Sequence, residues 1–267
     1  MKQDKSVFFK KSEVLPFVEI RQACLSTACY HPHSHDEFSF GVIDSGIANY
    51  HNLGQCNRIG AGDTVLINPA DIHSCNPMIG DWSYRMLFVD TNWIGQLQSE
   101  ILDSGHLDYL PFSDILNRSL QSYQQFKLLF ESLLKEQNPL IVESLLIQYL
   151  HQYFLVKKTE KSDPVNIRRV KELISDQLNI NHSLNDLAKE SGLSRYHLIR
   201  SFKQTYGLSP HAYQLDERIK NAKILLKSGV SLIDTSHLLG FTDQSHLQRN
   251  FKKRLAITPK QYQAFFI

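Results

Sequence analysis

Residues 183–214, SLNDLAKESGLSRYHLIRSFKQTYGLSPHAYQ, return as residues 231–263, SLIDTSHLLGFTDQSHLQRNFKKRLAITPKQYQ. Ser183, Leu184, Asp186 and Gly192 match Ser231, Leu232, Asp234 and Gly240 at an offset of 48. One residue is then inserted in the turn, and His197, Leu198, Arg200, Phe202, Lys203, Pro210, Tyr213 and Gln214 match His246, Leu247, Arg249, Phe251, Lys252, Pro259, Tyr262 and Gln263 at an offset of 49. In each copy a serine can cap a short helix, because its hydroxyl accepts one of the amide protons that the first turn leaves unpaired. A glycine ends that helix, free to take the left-handed conformation of a sharp turn. A second helix follows at once, capped by Ser194 or Asp243. Helix, short glycine turn, helix is the helix-turn-helix arrangement.

Within the second helix of each copy, Leu198 and Phe202, or Leu247 and Phe251, stand four apart and share a face, which predicts that they point to the core. The opposite face shows Arg195, Tyr196, Ile199, Arg200 and Lys203, or Gln244, Ser245, Gln248, Arg249 and Lys252. Guanidinium and amide groups suit base edges, and ammonium groups suit phosphates. A helical repeat that only built a core would explain the leucines and phenylalanines but not the same polar face twice. Ile199 is the exception, able only to touch a thymine methyl or to pack. Between the units, Pro210 to Ser228 reads as one amphipathic helix. At ~1.5 Å per residue it spans about 28 Å, comparable with the ~34 Å between successive major grooves on one face of a duplex.

These pieces resemble the DNA-binding domain of the AraC/XylS family of bacterial transcription regulators. The resemblance rests on Leu187-Ala188, Gly192-Leu193-Ser194, His197-Leu198-x-Arg200-x-Phe202-Lys203, Gly207-Leu208-Ser209-Pro210-x-x-Tyr213 and Arg218-x-x-x-Ala222-x-x-Leu225-Leu226. It continues through Gly240-Phe241, His246-Leu247-x-Arg249-x-Phe251-Lys252 and Thr258-Pro259-x-x-Tyr262. The resemblance implies double-stranded DNA as partner, base reading by the outward residues above, and recruitment of RNA polymerase as an activator.

Charge divides the chain in the same place. Residues 164–267 hold 16 Lys+Arg against 8 Asp+Glu, net +8, while residues 1–163 hold 13 against 19, net −6. A basic module with a polyanionic partner beside a module with another task is the expectation. No run of apolar residues approaches the ~18 of a membrane span, and MKQDKSVFFKKSEVLPF lacks the apolar centre of a secretory signal. The four cysteines, Cys24, Cys29, Cys56 and Cys75, form no CxxC pair. Free thiols and a cytoplasmic location are expected.

Residues 15–90 read as short strands separated by turn residues: Glu37–Ile43, Ile47–His51, Asp63–Ile67 and Trp82–Val89. Such strands predict an antiparallel sandwich or barrel. Residues 113–157 read as two apolar helices broken at Asn138-Pro139, and Lys157 to Pro164 as a polar linker. The fold class is therefore α+β in two domains. An antiparallel β-barrel (1–112) leads into a helical hairpin (113–157), a linker (158–164) and an all-α domain (165–267) with two helix-turn-helix units joined by a linker helix. The hairpin has apolar surface enough to cover the barrel or to pair with a second copy, giving a homodimer.

His33-Ser34-His35, Gly46, Gly62 and Pro69-x-x-x-His73 resemble the cupin barrel that fronts many members of the same regulator family. Three readings stay open for His33, His35 and His73: polar lining, contacts to a small-molecule effector, or a metal site. Where cupin enzymes carry a glutamate four residues after the second histidine, this chain has Ser39. Glu37 and Arg85, with His51 and Asn68, are further candidates to line the cavity. No nucleophile triad, phosphate loop or paired carboxylates appear, so neither an enzyme nor a cofactor is expected. A ligand-responsive regulator leads over a constitutive DNA-binding dimer and over a cupin metalloenzyme with a DNA-binding tail.

Overall fold

The computed structural model describes residues 6–102, 108–136, 138–154 and 163–267. The chain divides into two compact units, Met1–Cys29 with Ser34–Thr159 and Tyr30–His33 with Glu160–Ile267. The predicted linker, except for Asp163 and Pro164, lies outside the described residues.

Among the described residues the first unit holds nine strands: β1 (Val7–Lys11), β2 (Val18–Ser26), β3 (Phe38–Ser45), β4 (Ile47–Asn52), β5 (Gln55–Gly60), β6 (Thr64–Ile67), β7 (His73–Pro77), β8 (Trp82–Val89) and β9 (Leu116–Asn117). They form two antiparallel sheets, β1-β2-β8-β3-β6-β9 and β5-β4-β7. The expected barrel is thus a pair of sheets rather than one closed cylinder. The four strands read from sequence correspond to β3, β4, β6 and β8. Tight turns set their register: Leu53 and Gly54 both take positive φ (49° and 77°) between Asn52 and its partner Gln55, as a two-residue type I′ hairpin requires.

Helix α1 (Thr91–Leu102), absent from the sequence reading, starts where the Asp90 carboxylate accepts the amides of Asn92 and Trp93 at 2.9 and 3.2 Å. The hairpin helices are α2 (Leu120–Leu134) and α3 (Pro139–His151), capped by Ser119 and Asn138. Leu116, read as helical, instead pairs with Val65 in β9. The helices lie on one face of the six-stranded sheet. Register aligns Ile20, Leu87 and Phe40 across β2, β8 and β3, and these sit in one cluster with Phe126, Phe130, Leu133, Val142, Leu146 and Tyr149. The Phe40 ring stacks on Tyr149 at 4.9 Å and meets Phe126 edge-on at 5.7 Å. The hairpin therefore covers the sheet, while Leu120, Leu128, Leu140 and Ile141 stay exposed.

The second unit runs α4 (Val165–Asp176), α5 (Leu184–Ser191), α6 (Arg195–Tyr206), α7 (Pro210–Lys227), α8 (Leu232–Leu238), α9 (Gln244–Leu255) and α10 (Pro259–Gln263). The internal repeat is a structural repeat. Ser183 and Ser231 accept the amides of Asp186 and Asp234, both at 3.1 Å. Ser194 and Asp243 accept those of His197 and His246 at 3.3 and 2.6 Å. Gly192 and Gly240 take φ of 66° and 67°. Phe202 meets Tyr213 edge-on at 5.5 Å, and Phe251 meets Tyr262 likewise at 5.4 Å. Two helix-turn-helix units, α5–α6 and α8–α9, are joined by α7.

Candidate nucleic-acid interface and effector site

In α6 and α9 the buried and exposed faces divide as the repeat predicts. Leu198, Phe202, Leu247 and Phe251 are fully buried. Arg195, Ile199, Arg200, Lys203, Gln244, Ser245, Gln248 and Arg249 are exposed, and Lys252 is half-buried. The side chain of Tyr196 lies outside the described residues. These positions correspond one to one at the offset of 49, so each helix presents the same ridge over successive turns. Neither helix contains an aspartate or glutamate, so no carboxylate on either helix opposes a phosphate backbone. The ridge can donate to base edges through arginine and amide groups and to phosphates through lysine.

The two copies differ in their histidines. The His197 ring nitrogen Nδ1 shares a hydrogen bond with Ser194 Oγ at 2.9 Å. His246 is half-buried, packs edge-on against Phe241 at 5.4 Å, and its Nδ1 has no hydrogen-bond partner among the described residues. Burial, reinforced by the neighbouring Arg249, pulls its pKa below the ordinary histidine value.

In the first unit the face of the six-stranded sheet away from the helices meets the small sheet around His35 and His73. Their rings lie 4.9 Å apart, and His35 stands edge-on to Phe88 of β8 at 5.3 Å. Both are buried. His35 Nδ1 bonds to the Glu37 carbonyl at 2.7 Å and its Nε2 lies 3.0 Å from Ser39 Oγ, while His73 Nδ1 bonds to the Asp71 carbonyl at 2.9 Å. The serine that replaces the cupin glutamate thus sits on the nitrogen a metal would need. Glu37 is half-buried just before β3.

The other four candidates have partners of their own. His33 bonds through its Nδ1 to the His31 carbonyl at 2.8 Å, and its ring lies 6.3 Å from that of Tyr30. His33 and His35 both precede β3, which starts at Phe38. Arg85 points to the helical face, where its Nε and Nη2 donate to Asp44 at 2.7 and 2.5 Å, its guanidinium lies over Phe130, and Tyr123 also donates to Asp44 at 3.0 Å. Asn68 braces a loop, accepting from Phe112 N and Tyr109 Oη at 2.8 and 2.6 Å. His51 faces Cys56 across β4 and β5, with its Nε2 3.6 Å from the thiol, which is exposed.

Among the described residues no group of three His, Cys, Asp or Glu is placed to hold a metal ion. Cys75 is pushed up to about 12 by burial, so its thiol stays protonated and is a poor ligand. The residue that sequence reasoning missed is Arg21, buried on β2, with its guanidinium over the rings of Phe9 and Tyr84 at 5.0 and 5.5 Å. Only its register opposite Met86 places it on the face away from the helices, a long-range pairing that leaves no local signal.

Among the described residues no helix is long and apolar enough to cross a membrane. Residues 16–150 match the family described as an AraC-like ligand binding domain, and residues 187–264 match a helix-turn-helix domain family. The uncharacterized HTH-type transcriptional regulator YbfI of Bacillus subtilis is 36% identical over 222 residues, covering 80% of each chain. The lactose operon transcription activator of Staphylococcus xylosus is 25% identical over 243 residues, covering 84% of this chain and 83% of that protein. The crystal structure of ToxT from Vibrio cholerae shares the fold with a TM-score of 0.58 at 16% identity, over 98% of both chains. The two sequence relatives are transcription regulators, a non-enzymatic role. With a ligand-binding family in its first half, a helix-turn-helix family in its second, and the same two-unit fold, the chain belongs to the AraC family of transcription regulators.

Proposed function

We propose that this regulator is an effector-responsive activator whose α6 and α9 enter neighbouring major grooves of one duplex. The observation that carries the reading is the acid-free ridge presented twice, at the same five positions of two helices that each open on a side-chain cap, Ser194 and Asp243. Arg195, Tyr196, Arg200, Gln244, Ser245, Gln248 and Arg249 read bases. Ile199 contacts a thymine methyl, and Lys203 and Lys252 neutralise phosphates. His35 and His73, with Glu37 at the edge, are the polar groups that orient a small effector between the sheets. The exposed residues Leu120, Leu128, Leu140 and Ile141 of α2 and α3 pair two copies, doubling the DNA contacts. RNA polymerase is the partner through which binding becomes activation, by analogy with the family.

The decisive experiment selects duplexes from a random pool with the full chain and maps protection by hydroxyl-radical footprinting. Two protected segments per subunit, one helical turn apart on one face, are expected. Protection of a single segment, or no selection at low salt, would refute the two-groove reading.

A further inference from the structure

The linker helix carries a buried cation that the reading surfaces do not use. Arg218 on α7 is among the largest fully buried side chains. Its Nε donates to the Leu178 carbonyl at 2.6 Å and its Nη2 to the Ile180 carbonyl at 3.1 Å, both in the segment leading into the first helix-turn-helix unit. Its Nη1 donates to the Gly240 carbonyl at 2.9 Å, in the turn of the second unit, and the guanidinium lies over Phe241 at 5.7 Å. One turn earlier on α7, Gln214 Nε2 donates to the same Ile180 carbonyl at 2.6 Å. The two segments also touch directly. A Cβ on Gly240 would stand 2.1 Å from the Asn179 carbonyl oxygen.

We infer that Arg218 is a positioning residue that fixes the relative placement of α6 and α9, and so the spacing of the two DNA segments the protein accepts. The proposal rests on the reading that both helices bind DNA. Its logic is that of the guanidinium. A planar fork with five donors can serve three carbonyls approaching from different directions, whereas an ammonium ion at the end of a flexible stem cannot hold all three in one geometry. The hydrogen bonds of Arg218 run to neutral carbonyls, and burial lowers its pKa with no carboxylate among the described residues to offset that. A buried cation satisfied only by neutral groups is a poor source of stability compared with an apolar side chain of similar size. What it supplies is direction. Each of its bonds leads to a segment on one or the other side of the linker, so α7 cannot bend or twist between the units without breaking at least one of them.

The test measures binding of the full chain to a duplex that the parent itself selects, to versions with one or two base pairs inserted between the two protected segments, and to a duplex carrying one segment only. The parent is expected to lose at least tenfold in affinity on a one-base-pair insertion, which rotates and displaces the second segment. Arg218→Lys and Arg218→Gln are expected to bind the native spacing about tenfold more weakly, to bind all spacings within about threefold of one another, and to match the parent on the single segment. A merely structural role would not move this spacing preference. If Arg218 variants do not fold, as judged by circular dichroism, Gln214→Ala removes the adjoining bond to Ile180 and should flatten the spacing dependence to a smaller degree. Retention of the parent's sharp spacing preference by the folded variants overturns the assignment, as does a loss of affinity equal on one segment and two. A parent that binds one segment as tightly as two instead defeats the two-groove reading itself, and the clamp falls with it.

Discussion

Gly192 and Gly240 occupy the same place in the two helix-turn-helix units and take nearly the same backbone conformation, with φ of 66° and 67°. They differ in what surrounds them. A Cβ on Gly192 meets nothing within 4 Å, while one on Gly240 meets the Asn179 carbonyl oxygen at 2.1 Å and its carbonyl carbon at 2.7 Å. Alanine at either position bears the penalty of a left-handed residue with a side chain, about 1 kcal/mol. Alanine at Gly240 must also push the 178–180 segment away, and an extra methyl group forced into a packed site costs about 1–3 kcal/mol. The expected destabilisations are therefore ~1 kcal/mol for Gly192→Ala and ~2–4 kcal/mol for Gly240→Ala. Global unfolding of a two-unit chain is not one transition, so the assay is hydrogen–deuterium exchange of the full chain, read at amides of α5–α6 and of α8–α9. Gly192→Ala should speed exchange about fivefold, and Gly240→Ala roughly 30-fold to 1,000-fold, since ~1.4 kcal/mol is a factor of ten. Equal effects of the two substitutions would show that the left-handed conformation alone matters. The close approach of the two halves, on which the clamp depends, would then be wrong.

Arg249→Ala and Gln248→Ala should each weaken binding to the selected duplex by ~1–3 kcal/mol and relax preference at about one base pair; repeating the selection with the variants checks this, and unchanged preferences would refute the base contacts. Lys203→Ala and Lys252→Ala should weaken all duplexes alike and lower the slope of log affinity against log salt by about 1 each; a titration from low to high salt shows whether they touch phosphate. Asp44→Ala strips Arg85 of its carboxylate under Phe130 and should cost about 3 kcal/mol, at the low end for a buried pair because the Asp44 side chain is 25% exposed. The double variant with Arg85→Met should recover most of that loss, as read by thermal unfolding of Trp82 and Trp93 fluorescence; no recovery would mean that the carboxylate acts through something other than the pair. Acidification is the last. The depressed pKa of His246 means that the native state binds fewer protons than the unfolded chain between the folded value and the ordinary ~6.5. The contribution of His246 to stability is full above that range and is lost as pH falls through it. The protection of α8–α9, taken relative to the intrinsic exchange rate at each pH, should fall below about pH 6.5, and less so in His246→Gln, whose side chain does not titrate there; identical pH profiles would count against the assignment.

The helical unit was legible because its determinants are local. Each cap, glycine and apolar pair of the repeat acts within one or two turns of chain, so Ser183, Gly192, Leu198 and Phe202 announce their helices without knowledge of anything distant. The β unit was legible only in its turns. Gly46 and Leu53-Gly54 mark hairpins, but the pairing of Val18 with Val89 joins residues that no local pattern connects. Strand parity was the specific failure. Both faces of β8 are buried, so the alternation that normally separates core from surface is missing. Arg85 shares parity with Leu87 and Val89 and therefore faces the helices. The meeting of His35 and His73 is hidden for a related reason: residues 31–37 precede β3 and His73 opens β7, so no local pattern brings the two rings together.

Arg218 shows a third kind of limit. Its motif, Arg218-x-x-x-Ala222, is visible in the sequence, and α7 is visible as an amphipathic strut, yet Arg218 lies beside the apolar stripe of Ile219, Ala222 and Leu226 and would be assigned to solvent on periodicity alone. It is buried because the 178–180 segment and the Gly240 turn fold over it, and both are distant in the chain. The distinction matters for function. A straight helix sets the separation of the two units along its axis, but it does not set their rotation about that axis, and each unit could swivel at its own end. Asp216, buried on α7, binds Arg254 of α9 at 3.4 Å and restrains one of those ends. The carbonyls gathered by Arg218 come from both ends, so it is the contact that converts a strut into a fixed angle.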